Sequence, residues 1–169
     1  RDSAAVGKLS GAVGTSALRQ AENTRNFLPA AQAALGHPIE IIGGSEEARL
    51  IYLGVSHSLA DDQGRRLVVD IGGGSTECVL GERFDAIRTD SLGMGCVSYS
   101  LRFFTDGKIR GEDFRRAEIA ARLKLEPIER RYLDSGWDSC VGSSGTILAV
   151  EALLRQNGWS DRGITLAGL

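Results

Sequence analysis

The sequence is poor in the residues that build disulfide frameworks and zinc sites. It has only three cysteines, Cys78, Cys96 and Cys140, and two histidines, His37 and His57. An odd number of widely separated cysteines provides neither a disulfide framework nor a paired zinc-binding pattern. Two isolated histidines without companion ligands also argue against a histidine-based metal centre. We therefore expect free thiols, the usual state in a cytoplasmic protein.

The sequence also lacks an excess of positive charge and any long apolar run. Its formal net charge is −2 at pH 7, so we expect no general attraction to nucleic acid or to acidic membranes. No apolar stretch is long enough to cross a bilayer, and no signal peptide is recognisable. The 169 residues fit one domain or two small ones.

The most informative segment is the run LVVDIGGGSTECVL at residues 67–80. The β-branched residues on both sides of three glycines predict two strands joined by a tight turn. Such a turn can point several backbone N–H groups into one concavity, which suits a phosphate oxyanion. A plain hairpin would use glycines as well, but the flanking acids Asp70 and Glu77 favour phosphate chemistry, because Mg²⁺ takes oxygen ligands.

This loop differs from the common phosphate-binding loops that begin a helix. The chain contains no G-x-x-x-x-G-K-[ST] motif and no G-x-G-x-x-G motif that opens a helix. A strand follows the glycines instead, so the phosphate would lie on a hairpin turn, as in actin-like ATPases.

Five segments together resemble the exopolyphosphatase and guanosine pentaphosphate phosphohydrolase family, a branch of the actin-like superfamily. They are VGTSALRQA at 13–21, IEIIGGSEEARLI at 39–51, the triple-glycine hairpin, MGCVS at 94–98 and VGSSGTI at 141–147. The segments follow the family's order and span nearly the whole chain. One such motif would be a weak signal, whereas five in order are a specific one.

The resemblance implies an α/β fold of actin-like (ribonuclease H-like) lobes, with mixed sheets flanked by helices and a cleft between the lobes. The alternation of strands and helices along the chain agrees with this fold class. We expect residues 1–59 to form the C-terminal part of the first lobe and residues 65–169 the second lobe, with a polar turn at 60–64 between them. Within these lobes Ser45 is predicted to cap a helix, and Pro127 to kink or split another.

The family carries a first phosphate loop that resembles D-x-G-S-N-S, and nothing in this chain matches it. We therefore expect an internal fragment of a longer protein, with weak phosphate binding and no measurable phosphatase activity of its own. An uncovered sheet edge in such a fragment would favour self-association, for example as a homodimer.

Glu47 is the candidate catalytic group. By composition alone, Glu46 and Glu47 in the first turn of a helix would merely complement the helix dipole. The family resemblance implies more for Glu47, because the second acid of the family's E-E-A-R motif positions the attacking water. Hydrolysis of a phosphoanhydride needs a group within hydrogen-bonding reach of that water.

Two further sets of residues are candidates for phosphate contact. Arg19 is either a solvated helix arginine or, as the resemblance implies, a cleft residue whose guanidinium grips phosphate oxygens. The turn at 142–146 lies between a predicted strand and helix, where N–H groups can bind an anion. Ser144 or Thr146 would also serve as an ordinary N-cap there. The predicted phosphate-binding residues are Gly72, Gly73, Gly74, Ser75, Thr76, Ser144, Gly145 and Thr146.

The resemblance implies hydrolysis of the terminal phosphoanhydride of inorganic polyphosphate or of guanosine pentaphosphate. Mg²⁺ near Asp70 and Glu77 would bridge phosphate oxygens, Glu47 would activate water and Arg19 would stabilise developing charge. Two alternatives stay open from the sequence. One is a non-hydrolytic phosphate or nucleotide sensor or regulatory fragment, and the other is a kinase of the same superfamily.

Overall fold

The structure, a computed structural model, describes residues 11–60 and 63–169. They form two compact units, which divide after Gly43. The predicted lobe boundary at 60–64 falls inside the second unit, and residues 61–62 of that turn lie outside the described residues. The assignment of the two lobes to 1–59 and 65–169 stays a prediction.

The first unit pairs two short parallel strands with two helices. The elements are β1 (Ala12–Gly14), α1 (Ser16–Gln20), α2 (Thr24–Leu35) and β2 (Ile39–Ile41). Strand β1 pairs with β2 from Ala12 opposite Ile39 to Gly14 opposite Ile41. Helix α2 ends at Gly36, whose φ of 74° is a conformation that glycine adopts without strain. Parallel pairing of neighbouring strands requires a crossover, and the two helices supply it.

The second unit contains one sheet and four helices. In chain order the elements are α3 (Gly44–Ser58), β3 (Arg65–Ile71), β4 (Thr76–Glu82), β5 (Asp85–Leu92), α4 (Cys96–Phe103), α5 (Gly111–Ser135), β6 (Ser139–Ser143) and α6 (Ser144–Gln156). The strand order across the sheet is β5-β4-β3-β6. Strands β3, β4 and β5 are antiparallel neighbours, whereas β6 runs parallel to β3, so the sheet is mixed.

Helices cover both faces of this sheet. On one face Ala48 and Tyr52 of α3 pack against Val68 of β3 and Val79 of β4, all four fully buried. On the other face Ile128 and Tyr132 of α5 pack against Cys78 and Leu80. Burial of a large apolar side chain stabilises a fold by about 1.5–3 kcal/mol. These two clusters therefore fix α3 and α5 on opposite faces of the same strands.

A glycine lets α3 approach the sheet closely. A Cβ on Gly81 would collide with the ring of Tyr52, so only glycine leaves room for this aromatic side chain across β4. The Tyr52 hydroxyl then donates to the carbonyl of Arg83 at 3.2 Å. Tyr52 therefore lies at the β4–β5 turn, and the first turn of α3 lies over the other end of the sheet.

Three local predictions differ in detail from the structure. Helix α3 begins at Gly44, so Ser45 lies inside its first turn and does not precede it. Helix α5 runs unbroken through Pro127, which therefore does not split it. Strand β6 extends to Ser143 and α6 begins at the next residue, so the turn predicted at 142–146 is reduced to this junction. Among the described residues, no helix has the length and apolarity that a membrane span requires.

Candidate active site

The triple-glycine segment forms the turn that joins β3 to β4. The N–H of Gly72 donates to the carbonyl of Ser75 at 2.9 Å, which closes the turn. Among the described residues, no backbone carbonyl accepts a hydrogen bond from the N–H of Gly73 or Gly74. Uncommitted N–H groups in a tight turn are suited to binding phosphate oxygens.

Two acids flank this turn on the same face of the sheet. Asp70 and Glu77 are directly opposite each other in the register of β3 and β4. They continue the face formed by Val68 and Val79, because side chains two residues apart on a strand point the same way. The two carboxylates therefore lie on the α3 face, at the glycine end of the strands.

Glu77 is a buried acid in a negatively charged environment. Its residue is only 2% exposed, and the hydroxyls of Ser91, at 2.8 Å, and Ser75 donate to its carboxylate. Burial raises the pKa of Glu77, those two hydrogen bonds oppose the shift, and the negative charges of Glu47 and Asp70 add to it. Glu47 of α3 and Asp70 of β3 thus both act on the Glu77 carboxylate of β4 beside the glycine turn.

The first turn of α3 gives each residue of the E-E-A-R motif a different environment. Ala48 is fully buried in the core, and Glu46 forms a 2.7 Å ion pair with Arg49 at the surface. Glu47 is half-buried and is the acid of the motif whose charge acts on Glu77.

The acids suit a divalent cation that is shared with a phosphate. Among the described residues, no three histidine, cysteine or acidic side chains are close enough to form a metal cage. Mg²⁺, however, commonly uses only one or two carboxylates, together with waters and substrate phosphates. Asp70 and Glu77 provide such a pair, and a cation there would offset the like charges around Glu77. The magnesium site stays a prediction.

The second predicted phosphate turn lies beside the first. Ser143 pairs with Asp70 in the parallel register of β6 and β3, and the Ser144 hydroxyl donates to the carbonyl of Ile71 at 2.7 Å. Ser144 has a φ of 82°, which is strained for any residue except glycine. The Gly145 backbone borders open space, whereas Thr146 lines a cavity on the opposite face of the sheet.

The hydroxyls of Ser75 and Thr76 are engaged within the protein. Ser75 bonds to Glu77, and the Thr76 hydroxyl donates to the carbonyl of Met94 at 2.8 Å. Strand alternation places the Thr76 side chain on the face opposite Glu77. The predicted contact of these two residues with phosphate stays a prediction.

Arg19 belongs to the first unit, near the end of α1. Its guanidinium donates to the carbonyl of Ile42 at 2.8 Å, and Ile42 in turn donates its N–H to the carbonyl of Gly14. The side chain is half-buried and therefore held in a defined place within that unit. Its predicted contact with phosphate stays a prediction.

Comparison with known proteins decides the family. A sequence model of the Ppx/GppA phosphatase family matches residues 10–169. The chain belongs to this family. The sequence is 46% identical to the guanosine-5'-triphosphate,3'-diphosphate pyrophosphatase of Vibrio cholerae over 157 residues, and 47% identical to that of Aliivibrio fischeri. Each match covers 93% of the chain but 31% of the relative, so the chain spans about a third of the length of these curated relatives.

Solved structures of Ppx/GppA proteins share the fold. The Ppx/GppA enzyme of Aquifex aeolicus matches 86% of the chain at 33% identity, with a TM-score of 0.67 over 47% of its own length. An exopolyphosphatase from Cytophaga hutchinsonii matches 90% of the chain at 25% identity, with a TM-score of 0.74 over 49% of its length. The predicted family is confirmed, as is the predicted actin-like α/β fold with mixed sheets flanked by helices.

A cavity near the Ppx/GppA motifs does not coincide with the polar site. This cavity of about 1090 Å³ lies on the α5 face, lined by residues such as Leu67, Val69 and Leu125. Cys78 also borders it, and burial raises the pKa of this thiol to about 11, which keeps it protonated and unreactive. All three cysteines are free, as expected.

Ser91, which donates to Glu77, is not among the residues predicted from the sequence. The residue lies opposite Glu77 in the register of β4 and β5. A plain hairpin register, counted back from the pair Glu82 and Asp85, would place Asp90 and not Ser91 opposite Glu77. The irregularity between Leu80 and Gly81 shifts that register, however, and it cannot be counted from the sequence alone.

Proposed function

We propose that the full-length protein hydrolyses the terminal phosphoanhydride of guanosine pentaphosphate or of inorganic polyphosphate. The observation that carries this proposal is the grouping of Glu47, Asp70 and Glu77 beside a turn with uncommitted N–H groups. Phosphoryl transfer depends on positioning and on stabilising charge, and this grouping offers groups for both.

Each part of the site has a separate task in the proposed reaction. The N–H groups of Gly73 and Gly74 bind oxygens of the terminal phosphate. Glu47 accepts a hydrogen bond from the attacking water, orients it toward the phosphorus and takes up its proton as the bond forms.

Mg²⁺ is the proposed cofactor, held by Asp70 and Glu77. When bound, it would neutralise phosphate charge and act as a Lewis acid. The chain's own contribution is to keep the Glu77 carboxylate in place through Ser91 and Ser75. Those hydroxyls orient the acid and favour its ionised form.

The names of the relatives favour guanosine pentaphosphate as the first substrate to test. The Vibrio relatives at 46–48% identity carry names for that chemistry. Polyphosphate is the second candidate, because a solved relative at 25% identity is an exopolyphosphatase. We also propose a cytoplasmic location, which agrees with the free thiols.

The test is orthophosphate release by the purified full-length protein, measured with each substrate in Mg²⁺ and again in excess chelator. We expect release from at least one substrate, with strong dependence on Mg²⁺. A folded protein that binds either substrate without releasing orthophosphate would instead be a sensor, and the hydrolase proposal would be wrong.

A further inference from the structure

The N-terminus of α4 is docked directly on the triple-glycine turn. The N–H of Cys96 donates to the carbonyl of Gly72 at 2.9 Å. The N–H groups of Val97 and Ser98 both donate to the carbonyl of Gly73, at 2.9 and 3.0 Å. The first N–H groups of a helix have no partner within the helix, and here the glycine turn supplies one.

Gly95 makes this docking sterically possible. A Cβ at this position would lie 2.5 Å from both the carbonyl carbon and oxygen of Gly73, and 2.6 Å from the nitrogen of Gly74. The φ and ψ of Gly95, −155° and 164°, are open to any residue, so the requirement is for space alone. The Ser98 hydroxyl also bonds to both the N–H and the carbonyl of Gly95, at 3.0 and 3.1 Å.

The docking determines which way the turn presents its N–H groups. The peptide bonds of the described chain are trans, so the N–H of each peptide points away from its carbonyl. Because the carbonyls of Gly72 and Gly73 point at α4, the N–H groups of Gly73 and Gly74 point away from that helix. A hydrogen bond to a carbonyl also polarises its peptide group, and the helix N-terminus carries partial positive charge. Helix α4 therefore both orients these two donors and strengthens them.

We propose that α4 positions the phosphate turn of the enzyme and that Gly95 is the positioning residue at this contact. The inference rests on the proposed function, since it assigns a task to the same turn. It also gives a role to the MGCVS segment at 94–98, whose one thiol, Cys96, has no base beside it in the sequence. The Thr76 hydroxyl, bonded to the carbonyl of Met94, holds the other end of the same contact.

Two glycines in this segment provide a matched test in the full-length protein. Gly95→Ala places a methyl group against the Gly73 backbone, whereas a Cβ on the exposed Gly93 would meet nothing within 4 Å. We expect Gly95→Ala to raise two constants by about tenfold or more. They are the KM for the substrate that the parent hydrolyses and the Kd for tripolyphosphate, measured calorimetrically with Mg²⁺. Gly93→Ala should change both constants less than twofold. A tenfold loss corresponds to about 1.4 kcal/mol, a modest cost for a displaced site.

The split between KM and kcat separates positioning from simple instability. A variant that is only less stable loses active molecules, which lowers the apparent kcat and leaves KM unchanged. Should Gly95→Ala fail to fold, Ser98→Ala removes the bonds to Gly95 without adding bulk, and we expect it to raise KM and Kd about threefold.

The outcomes distinguish this inference from the proposed function. The positioning role would be overturned if Gly95→Ala and Gly93→Ala had equal KM and Kd values. If Gly95→Ala does not fold, unchanged KM and Kd values in Ser98→Ala would overturn it instead. In either case, turnover by the parent protein would still uphold the proposed function. Tripolyphosphate binding that depends on Gly95 in a protein without turnover would uphold the positioning role and overturn the hydrolase proposal. A parent protein that binds no tripolyphosphate would overturn the positioning role, whatever its turnover.

Discussion

The two faces of the four-stranded sheet differ in chemistry although the same strands build both. On the α3 face, Asp70 and Glu77 end the strands in a negatively charged group with Glu47. On the α5 face, the adjacent residues Ile71 and Thr76 line a large, mostly apolar cavity. One residue along the strand therefore separates the proposed phosphate chemistry from hydrophobic packing, because successive side chains alternate between faces.

The proposed site and the α5-face cavity are therefore separate features of the same sheet. The α5-face cavity is lined mainly by apolar side chains, whereas the proposed site consists of backbone N–H groups and acids at a strand end. The two faces should respond differently to substitution. Changes on the α3 face should alter turnover or Mg²⁺ dependence, and changes on the α5 face should mainly alter stability.

The largest effect is expected from Glu47→Gln in the full-length protein. Gln keeps the size of the side chain but accepts no proton, so we expect turnover to fall by about 10²-fold or more, the usual contribution of a positioned base. This loss corresponds to about 2.7 kcal/mol in the activation barrier. The measurement is orthophosphate release at saturating substrate and Mg²⁺, with thermal stability measured alongside.

Glu46→Gln is the matched control for this prediction. Glu46 is the adjacent acid of the same helical turn, but it pairs with Arg49 at the surface. Its replacement should leave turnover within about twofold, because exposed ion pairs contribute only about 0–1 kcal/mol. Near-normal turnover of a folded Glu47→Gln variant would exclude Glu47 as the base.

The next effect concerns the metal. Asp70→Asn and Glu77→Gln each remove an anionic oxygen ligand, so each should raise the Mg²⁺ concentration for half-maximal rate by about tenfold or more. Glu82→Gln, at the exposed far end of β4, should keep the parent's Mg²⁺ titration. If both site variants also keep the parent curve, the acids are structural and the turn binds phosphate without them.

The sequence predicted the elements whose signals are local. The β-branched residues on both sides of three glycines predicted β3, β4 and the turn. The E-E-A-R motif made Glu47 a candidate site residue, and the position beside the glycines made Asp70 and Glu77 candidates. These signals are contained in short stretches of chain, where strand and turn preferences act directly.

What the sequence did not reveal depends on contacts between distant segments. The bond from Ser91 to Glu77 requires the register across an irregular strand pair, and the docking of α4 requires a close approach at Gly95. Pro127 illustrates the same limit, because local preference predicts a break that packing of Ile128 and Tyr132 against the sheet overrides. Tertiary packing commonly overrides such local preferences.

A smaller effect is expected on the α5 face from Tyr132→Phe. The Tyr132 hydroxyl donates to the carbonyl of Cys78 at 2.7 Å and contacts Asp90 at 3.0 Å. Its removal leaves a buried carbonyl without this donor and should lower the free energy of unfolding by about 1–3 kcal/mol. Denaturant titration measures that loss, and kinetic assays should show unchanged kcat and Mg²⁺ dependence. A changed Mg²⁺ dependence would contradict the separation of the two faces.

The smallest effect, and the most specific to the charge group, is on the pH dependence of stability. The folded pKa of Glu77 is raised above its ordinary range, mainly by burial. The folded state therefore binds more protons than the unfolded state as pH rises from about 4.3 to the folded pKa, and stability falls across that window. Glu77→Gln should remove this fall. Without Mg²⁺, the variant's melting temperature minus the parent's should thus increase with pH and then level off.

Glu46→Gln should behave oppositely, because the hydrogen bond from Arg49 lowers the pKa of Glu46 and its loss removes stability at higher pH. Melting temperatures in chelator between pH 4 and pH 8 give both curves. A parallel pair of curves for the parent and Glu77→Gln would mean that Glu77 is ionised in the folded protein as easily as in the unfolded chain.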